Sequence, residues 1–336
     1  MLLIRQRAHA RAGLLGNPSD GFHGRTLSCL VRNYWAEVIL YEWDQIEILP
    51  SVADQTRFRN VNELARDVRL HGYYGGVRLI KATIKRFAEY CDTKSIQLHD
   101  GCFSVRYESN IPRNVGLAGS SAIIVATLRA LQKFYDVTIP REILPSLALA
   151  VEREELGIPG GLQDRVIQVY GSVVYMDFTL PCTHRVDGME RGEYEPLDPS
   201  LLPPLYVAFS EDFGEPTEVL HSHLRERYAE GEPAVVDAMR TFAELAREGR
   251  EALVQRDWDR FGRLMDLNFD TRRSICRLHP DHVTMVEAAR QTGASAKFAG
   301  SGGAIVGTYR DDAMFQQLVS TLAPLRCRVI KPMVGE

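Results

Sequence analysis

Pro112-Arg113-Asn114-Val115-Gly116-Leu117-Ala118-Gly119-Ser120-Ser121-Ala122 is a loop of small residues that runs directly into an almost wholly apolar stretch, residues 122–135. That stretch is too long for a strand and too uniformly apolar for a surface helix, so it reads as a buried helix. Glycines before a helix let the backbone approach a ligand closely, and the free N–H groups and dipole at the helix start favour anions. Two adjacent hydroxyls there can bind a phosphate or a magnesium ion. A plain Gly-Ser helix start accounts for the segment equally well on its own. It lacks the G-K-[ST] ending of a Walker A loop and the spacing of a dinucleotide fingerprint.

Working outward, residues 7–16, 26–42 and 96–107 are rich in aromatic or β-branched side chains and bounded by turn signals, which predicts strands. Val77, Ile80, Ile84, Phe87 and Cys91 recur at helical spacing; 146–156 and 161–170 read as two further helices. The apolar pattern lapses between 180 and 204 into Pro, Gly and charge, predicting a linker and a domain boundary near residue 195, with domains at 1–195 and 196–336. Beyond it a strand at 205–210 precedes helices at 218–228, 234–255, 258–273 and 280–291, and strands at 296–309 and 327–331 close the chain. Strands and helices mix in both halves without a regular βαβ rhythm, which predicts two α+β domains.

The bulk properties narrow the function. A chain of 336 residues with 45% hydrophobic and 25% charged residues has an ordinary globular composition. A formal net charge of -4 without a block of Lys and Arg argues against a nucleic-acid binder. No uncharged apolar run reaches the length of a membrane span, and the first dozen residues carry Arg5, Arg7 and Arg11 with no apolar stretch behind them. Six scattered cysteines without a CxxC pair fit reduced thiols, so a cytoplasmic protein is expected. The nine histidines show no metal spacing backed by a third ligand and read as structural or surface residues.

The loop at 112–122 resembles the second motif of the GHMP superfamily of small-molecule kinases, P-x-x-x-G-L-[GS]-[ST]-S, with Ala118 where Gly or Ser is usual. The first motif of that superfamily is partly matched by Arg7-Ala8-His9-Ala10-Arg11-Ala12-Gly13-Leu14-Leu15-Gly16-Asn17-Pro18-Ser19-Asp20. Its late glycine cluster is matched by Lys297-Phe298-Ala299-Gly300-Ser301-Gly302-Gly303-Ala304. The resemblance implies a two-domain α+β fold, an N-terminal domain like ribosomal protein S5 and a C-terminal ferredoxin-like domain. It also implies ATP as phosphoryl donor, bound by Pro112, Gly116, Leu117, Ala118, Gly119, Ser120, Ser121 and Ala122. Mg²⁺ would be held by Ser120, with Ser121 as fallback, and by Glu152 in Val151-Glu152-Arg153-Glu154-Glu155; read without the resemblance, those glutamates are a solvated helix face. Asp164 becomes the catalytic carboxylate, as base or as orienting group, where sequence alone supports only a helix cap. Arg11 would stand beside Asp164 and the γ-phosphate, and the two glycine loops would face each other across a cleft.

Within the superfamily, residues 13–20, 72–79 and 161–166 and Lys297-Phe298 with the following glycines are similar to the plant-type glucuronokinases. This implies a sugar acid as acceptor, phosphorylated at its anomeric hydroxyl. Asp20 would accept from sugar hydroxyls, and Lys297, Gly300, Ser301 and Gly302 would line the sugar site. A carboxylate calls for a cation, preferably the planar fork of an arginine. Arg25 is the first candidate and Lys297 the second. A heptose-phosphate kinase and a silent GHMP-fold sensor of sugar and ATP stay open as rivals, and the oligomeric state is not legible.

Overall fold

The computed structural model describes residues 2–51, 54, 60, 61, 75–186, 188–210 and 218–335, without the side chains of 218–223. Within the first half, β1 (Leu3–Leu15) and β2 (Arg25–Trp43) pair antiparallel from Leu3 opposite Tyr41 to Leu15 opposite Leu27. The other edge of the long β2 is shared. β5 (Val173–Asp177) takes residues 25–29 and β4 (Cys102–Ser109) takes residues 36–43. β3 (Glu47–Leu49) joins β4 in parallel and β8 (Glu193–Leu197) joins β5, completing six strands.

Helix α1 (Gly76–Thr93) and helix α2 (Gly119–Tyr135) cover this sheet, with α2 lying against β1 and β2. Ile124, Val125, Ala126 and Leu128 of α2 are fully buried because α1, α3 (Leu144–Ala150) and α4 (Gln163–Tyr170) close over its outer side. Such all-round burial is why the stretch carries no polar face.

In the second half a four-stranded antiparallel sheet runs in the order β10 (Lys297–Phe298), β11 (Ala304–Thr308), β9 (Leu205–Ser210), β12 (Cys327–Ile330). Tyr206, Phe298 and Ile305 from its strands meet Met285 and Val286 of α8 (Pro280–Gln291) and Leu318 of α9 (Asp312–Leu322) in a second core. α5 (Glu218–Ala229), α6 (Pro233–Gln255) and α7 (Trp258–Ile275) lie between, with α6 on β2 and α7 on both β1 and β10.

The structure departs from the sequence reading at several points, and the short strands β3 and β5 are two that the reading did not contain. The stretch 180–204 is not simply a linker: it holds the hairpin β6 (His184–Val186) and β7 (Met189–Arg191), and β8, which belongs to the large sheet. The expected boundary near 195 therefore falls inside β8. Residues 296–309 are two strands, because Gly302 and Gly303 turn the chain at positive φ. The helix read at 146–156 breaks after Ala150 into one wide π-turn, Val151–Glu155. Helix α9 was not anticipated, although Met314, Leu318 and Leu322 repeat every four residues behind an Asp311 cap that accepts from the Met314 N–H. Of the resembling stretch 72–79, residues 72–74 lie outside the described residues, as do His71 and the side chains of His221 and His223. All six cysteines are free, and no helix among the described residues is long and apolar enough to cross a membrane.

Candidate active site

Strand β1 organises the site. Its first half alternates between exposed and covered residues, but from Ala10 onward it is buried on both faces. A register shift between His9 and Ala10 separates the two halves. In the buried half Arg11 donates its backbone N–H to the Leu117 carbonyl, 3.2 Å, and Gly13 donates to the Ala299 carbonyl, 2.8 Å. One strand edge thus holds both glycine loops.

The loops touch, so the expectation that they face each other across a cleft is corrected. A β-carbon on Gly300 would lie 2.1 Å from the Gly116 carbonyl oxygen, and one on Gly116 would lie 2.8 Å from the Ser301 nitrogen. Only glycine permits that approach. Both loops line one cavity of about 330 Å³, the size of a small-ligand pocket.

Around Ser120, Asn114 (φ 57°), Gly116 (φ 73°) and Ala118 (φ 63°) all take left-handed backbone. For Ala118 this conformation is costly, since its β-carbon crowds the following carbonyl. Ala118→Gly is expected to stabilise the protein by about 0.5–1 kcal/mol, read as a higher urea midpoint with unchanged slope. An unchanged or lower midpoint would show that the loop's neighbours meet no such cost.

Pro112, Gly116, Leu117, Ala118, Gly119 and Ser120 line the cavity. Ser121 and Ala122 do not: Ser121 is fully buried and donates its Oγ–H back to the Ala118 carbonyl, 3.2 Å. Ser120 donates to Glu152 Oε1 at 2.8 Å. The wide π-turn carries Glu152 inward to full burial while Glu154 and Glu155 turn out to Arg86 and Lys85 of α1. That 2.8 Å separation is that of a hydrogen bond. It is also close to the roughly 2.9 Å between adjacent ligands of an octahedral ion at 2.0–2.1 Å, so the two oxygens could share a magnesium ion if the hydroxyl turned its hydrogen away. Among the described residues no cluster of three or more His, Cys, Asp or Glu forms a metal cage. An ion here would therefore draw its remaining ligands from a nucleotide and water.

Asp164 stands in the first turn of α4. Its Oδ1 accepts from Arg11 Nε at 2.6 Å, and Arg11 Nη1 also donates to the Gly116 carbonyl at 2.5 Å and the Ala299 carbonyl at 3.2 Å. Arg11 is buried, not the exposed edge residue that a bare strand reading allows. Asp20 reaches the same place from the turn Ser19–Gly21, and its Oδ2 accepts from the Gln163 N–H at 3.1 Å. Burial first, and then the negative charge of Asp164, push the Asp20 carboxyl up to about 6. A β-carbon on Gly161 would lie 1.8 Å from Asp20 Oδ2, so the glycine makes room for that carboxylate.

The two cations expected to meet a substrate carboxylate do not reach the cavity either. Arg25 faces Asp177 directly across the β2–β5 pair and binds it, Nε to Oδ2 2.6 Å, so the guanidinium is engaged away from the cavity. Lys297 is buried, and its Nζ donates to the Gly13 carbonyl (2.6 Å), Asn17 Oδ1 (2.7 Å) and the Phe298 carbonyl (2.7 Å). Those acceptors take all three of its donors, so it ties β1 to β10 instead of meeting a ligand. Gly300 and Ser301 line the cavity, whereas Gly302 does not and abuts His282.

Sequence reasoning missed three features. Arg165, directly after Asp164, is buried and ion-paired with Glu152; burial and the neighbouring charge of Arg11 lower its pKa. Arg272 of α7 lines the cavity with no local motif to announce it. Leu79, Tyr107, Ile111 and Ile123 form a largely apolar part of the lining.

The chain matches the family models for the GHMP kinases N-terminal domain over residues 78–172 and the GHMP kinases C-terminal domain over residues 250–322. It is 44% identical over 310 residues to "Glucuronokinase 1" of Arabidopsis thaliana, covering 90% of this chain and 84% of that one. It is 25% identical over 186 residues to the D-glycero-alpha-D-manno-heptose 7-phosphate kinase of Campylobacter jejuni, covering 53% and 51%. Among solved structures, Lactococcus lactis galactokinase complexed with galactose superposes with a TM-score of 0.77 at 14% identity, covering 99% of this chain and 94% of that one.

Proposed function

The chain belongs to the GHMP kinase family, and from that premise we propose that it transfers the γ-phosphoryl group of ATP to the anomeric hydroxyl of D-glucuronate, giving glucuronate 1-phosphate and ADP. One observation carries the reading: a single cavity joins a helix-start phosphate loop, the Ser120–Glu152 oxygen pair and the Arg11–Asp164 pair, with Asp20 beside them. The acceptor rests on the 44% identity over 90% of the chain.

The N–H groups at the start of α2 and in the Gly116–Ser120 loop hold the phosphates. A magnesium ion on Ser120 and Glu152 would neutralise phosphate charge when bound. Asp164 takes the hydrogen of the anomeric hydroxyl and fixes the oxygen for in-line attack. Arg11, its Nε and Nη1 anchored on Asp164 and two carbonyls, retains Nη2 donors for the phosphoryl oxygens, where charge accumulates during transfer. Asp20 accepts from the sugar's other hydroxyls and so selects its orientation.

An ADP-release assay across uronic acids, neutral sugars and sugar phosphates tests the proposal. Glucuronate is expected to give the highest kcat/KM, with a phosphate ester at the anomeric carbon as product. Preference for a heptose phosphate would replace the acceptor while keeping the reaction. No ADP from any sugar would remove the catalytic reading and leave a binding protein.

A further inference from the structure

Three cations converge where the C-terminal glycine loop meets β1, and only one of them has a carboxylate. Arg11 holds Asp164, and Lys297 spends its donors on carbonyl groups. The third, Arg272, is 3% exposed. Its Nη1 donates to the Gly300 carbonyl at 2.7 Å and its Nη2 to the Ser301 carbonyl at 3.2 Å, while its Nε has no hydrogen-bond partner among the described residues. No carboxylate of the described residues lies within ion-pair distance of it, and the neighbouring Cys276 thiol has its pKa raised by burial, so it supplies no charge. The Phe298 ring, 5.5 Å from Cζ, and the Cys276 thiol offset part of the charge. A buried guanidinium without an anion nevertheless remains costly, and the cavity it lines is where a ligand anion could complete it.

We propose that Arg272 binds the carboxylate of the sugar-acid acceptor and sets the preference for that acid over a neutral sugar. The inference rests on the acceptor reading above. Position favours the acceptor over the nucleotide. One turn before Arg272, Asn268 accepts from the Gly16 N–H at 2.8 Å and donates to the Asn17 carbonyl at 3.3 Å. The same helix face therefore holds the segment that leads to Asp20, and Arg272 lines the cavity together with Asn17, Pro18 and Asp20. The phosphates have their own donors at the start of α2. Two of the five N–H donors of Arg272 are spent on carbonyl groups, and a carboxylate takes two more as a bidentate pair.

The test compares kcat/KM for glucuronate and glucose, and the KM for ATP, in the wild-type full chain, Arg272→Gln and Arg272→Lys, with thermal melting of each. Loss of one partner from a desolvated charge pair lowers the glucuronate-to-glucose ratio by about a hundredfold or more in Arg272→Gln. The ATP KM stays within about threefold. Arg272→Lys keeps the charge without the fork and falls between. Because Arg272 also anchors the Gly300–Ser301 loop, Arg272→Lys decides the matter if Arg272→Gln does not melt cooperatively. An unchanged ratio in a folded variant overturns the proposal, and so does an equal loss for both sugars with a raised ATP KM, which would assign Arg272 to the phosphates. A wild-type protein inactive on glucuronate fails at the earlier step, overturning the acceptor reading and this inference with it.

Discussion

Asp164→Asn is expected to lower kcat by about a thousandfold while moving the KM for ATP by less than about threefold. The exchange preserves the size and most of the hydrogen-bonding outline of the side chain, but it removes the group that receives the hydroxyl proton and the negative charge that holds Arg11. The geometry makes both losses count. Arg11 Nε lies 2.6 Å from Asp164 Oδ1, and its Nη1 is fixed to the carbonyls of Gly116 and Ala299, so the guanidinium cannot follow a substitute partner far. The nucleotide, held by the loop before α2, should scarcely sense the change. Single-turnover measurement with saturating ATP isolates the chemical step. A variant within tenfold of wild type would mean that the hydroxyl needs no assistance from this carboxylate. A raised ATP KM with preserved kcat would reassign Asp164 to nucleotide binding.

How much of this was legible in the sequence follows from the range of the interactions. The phosphate loop and the helix behind it are local: glycines, hydroxyls and an uninterrupted apolar run lie within some twenty residues, and each obeys a rule of backbone or burial. The longer strands β1, β2, β4 and β9 could likewise be read from local pattern, whereas the short β3, β5 and β8 were missed because their pairing partners lie far off in sequence. Glu152 was preferred to Glu154 only through the family resemblance. What failed was partner choice over long range. Arg25 looked available because its neighbours in sequence offer it nothing, yet strand pairing sets it opposite Asp177. Lys297 looked like a ligand-facing cation beside glycines, yet β10 turns it inward onto carbonyls of β1 and the following turn. Arg272 carried no local signal, since its importance comes from α7 lying against β1 and β10. The π-turn was hidden for a related reason: its wide geometry is what turns Glu152 in, and no propensity marks it.

Glu152→Gln is expected to raise the magnesium concentration for half-maximal activity by about ten- to a hundredfold and to lower kcat, with much of the loss recovered at high magnesium. Gln keeps an oxygen for the Ser120 hydroxyl, now 2.8 Å from Glu152 Oε1, but replaces a charged ligand by a neutral one. A hard ion with few protein ligands depends strongly on that charge. The same substitution strips Arg165 of its carboxylate in a place where both side chains are buried. Removing one partner of such a pair typically costs about 3–5 kcal/mol, and an amide that still accepts a hydrogen bond should lose less. A lower melting temperature is therefore expected alongside the metal effect, and the two separate by titration. Excess magnesium restores occupancy of the ion site but cannot return a partner to Arg165, so turnover recovers with metal while the ligand-free melting temperature does not. Ser120→Ala, which leaves the ion pair intact, should shift the magnesium requirement in the same direction with little change in melting. If neither variant alters the magnesium dependence, the ion is held by the nucleotide alone, and the contact between Ser120 and Glu152 serves only to fix the helix start against the π-turn.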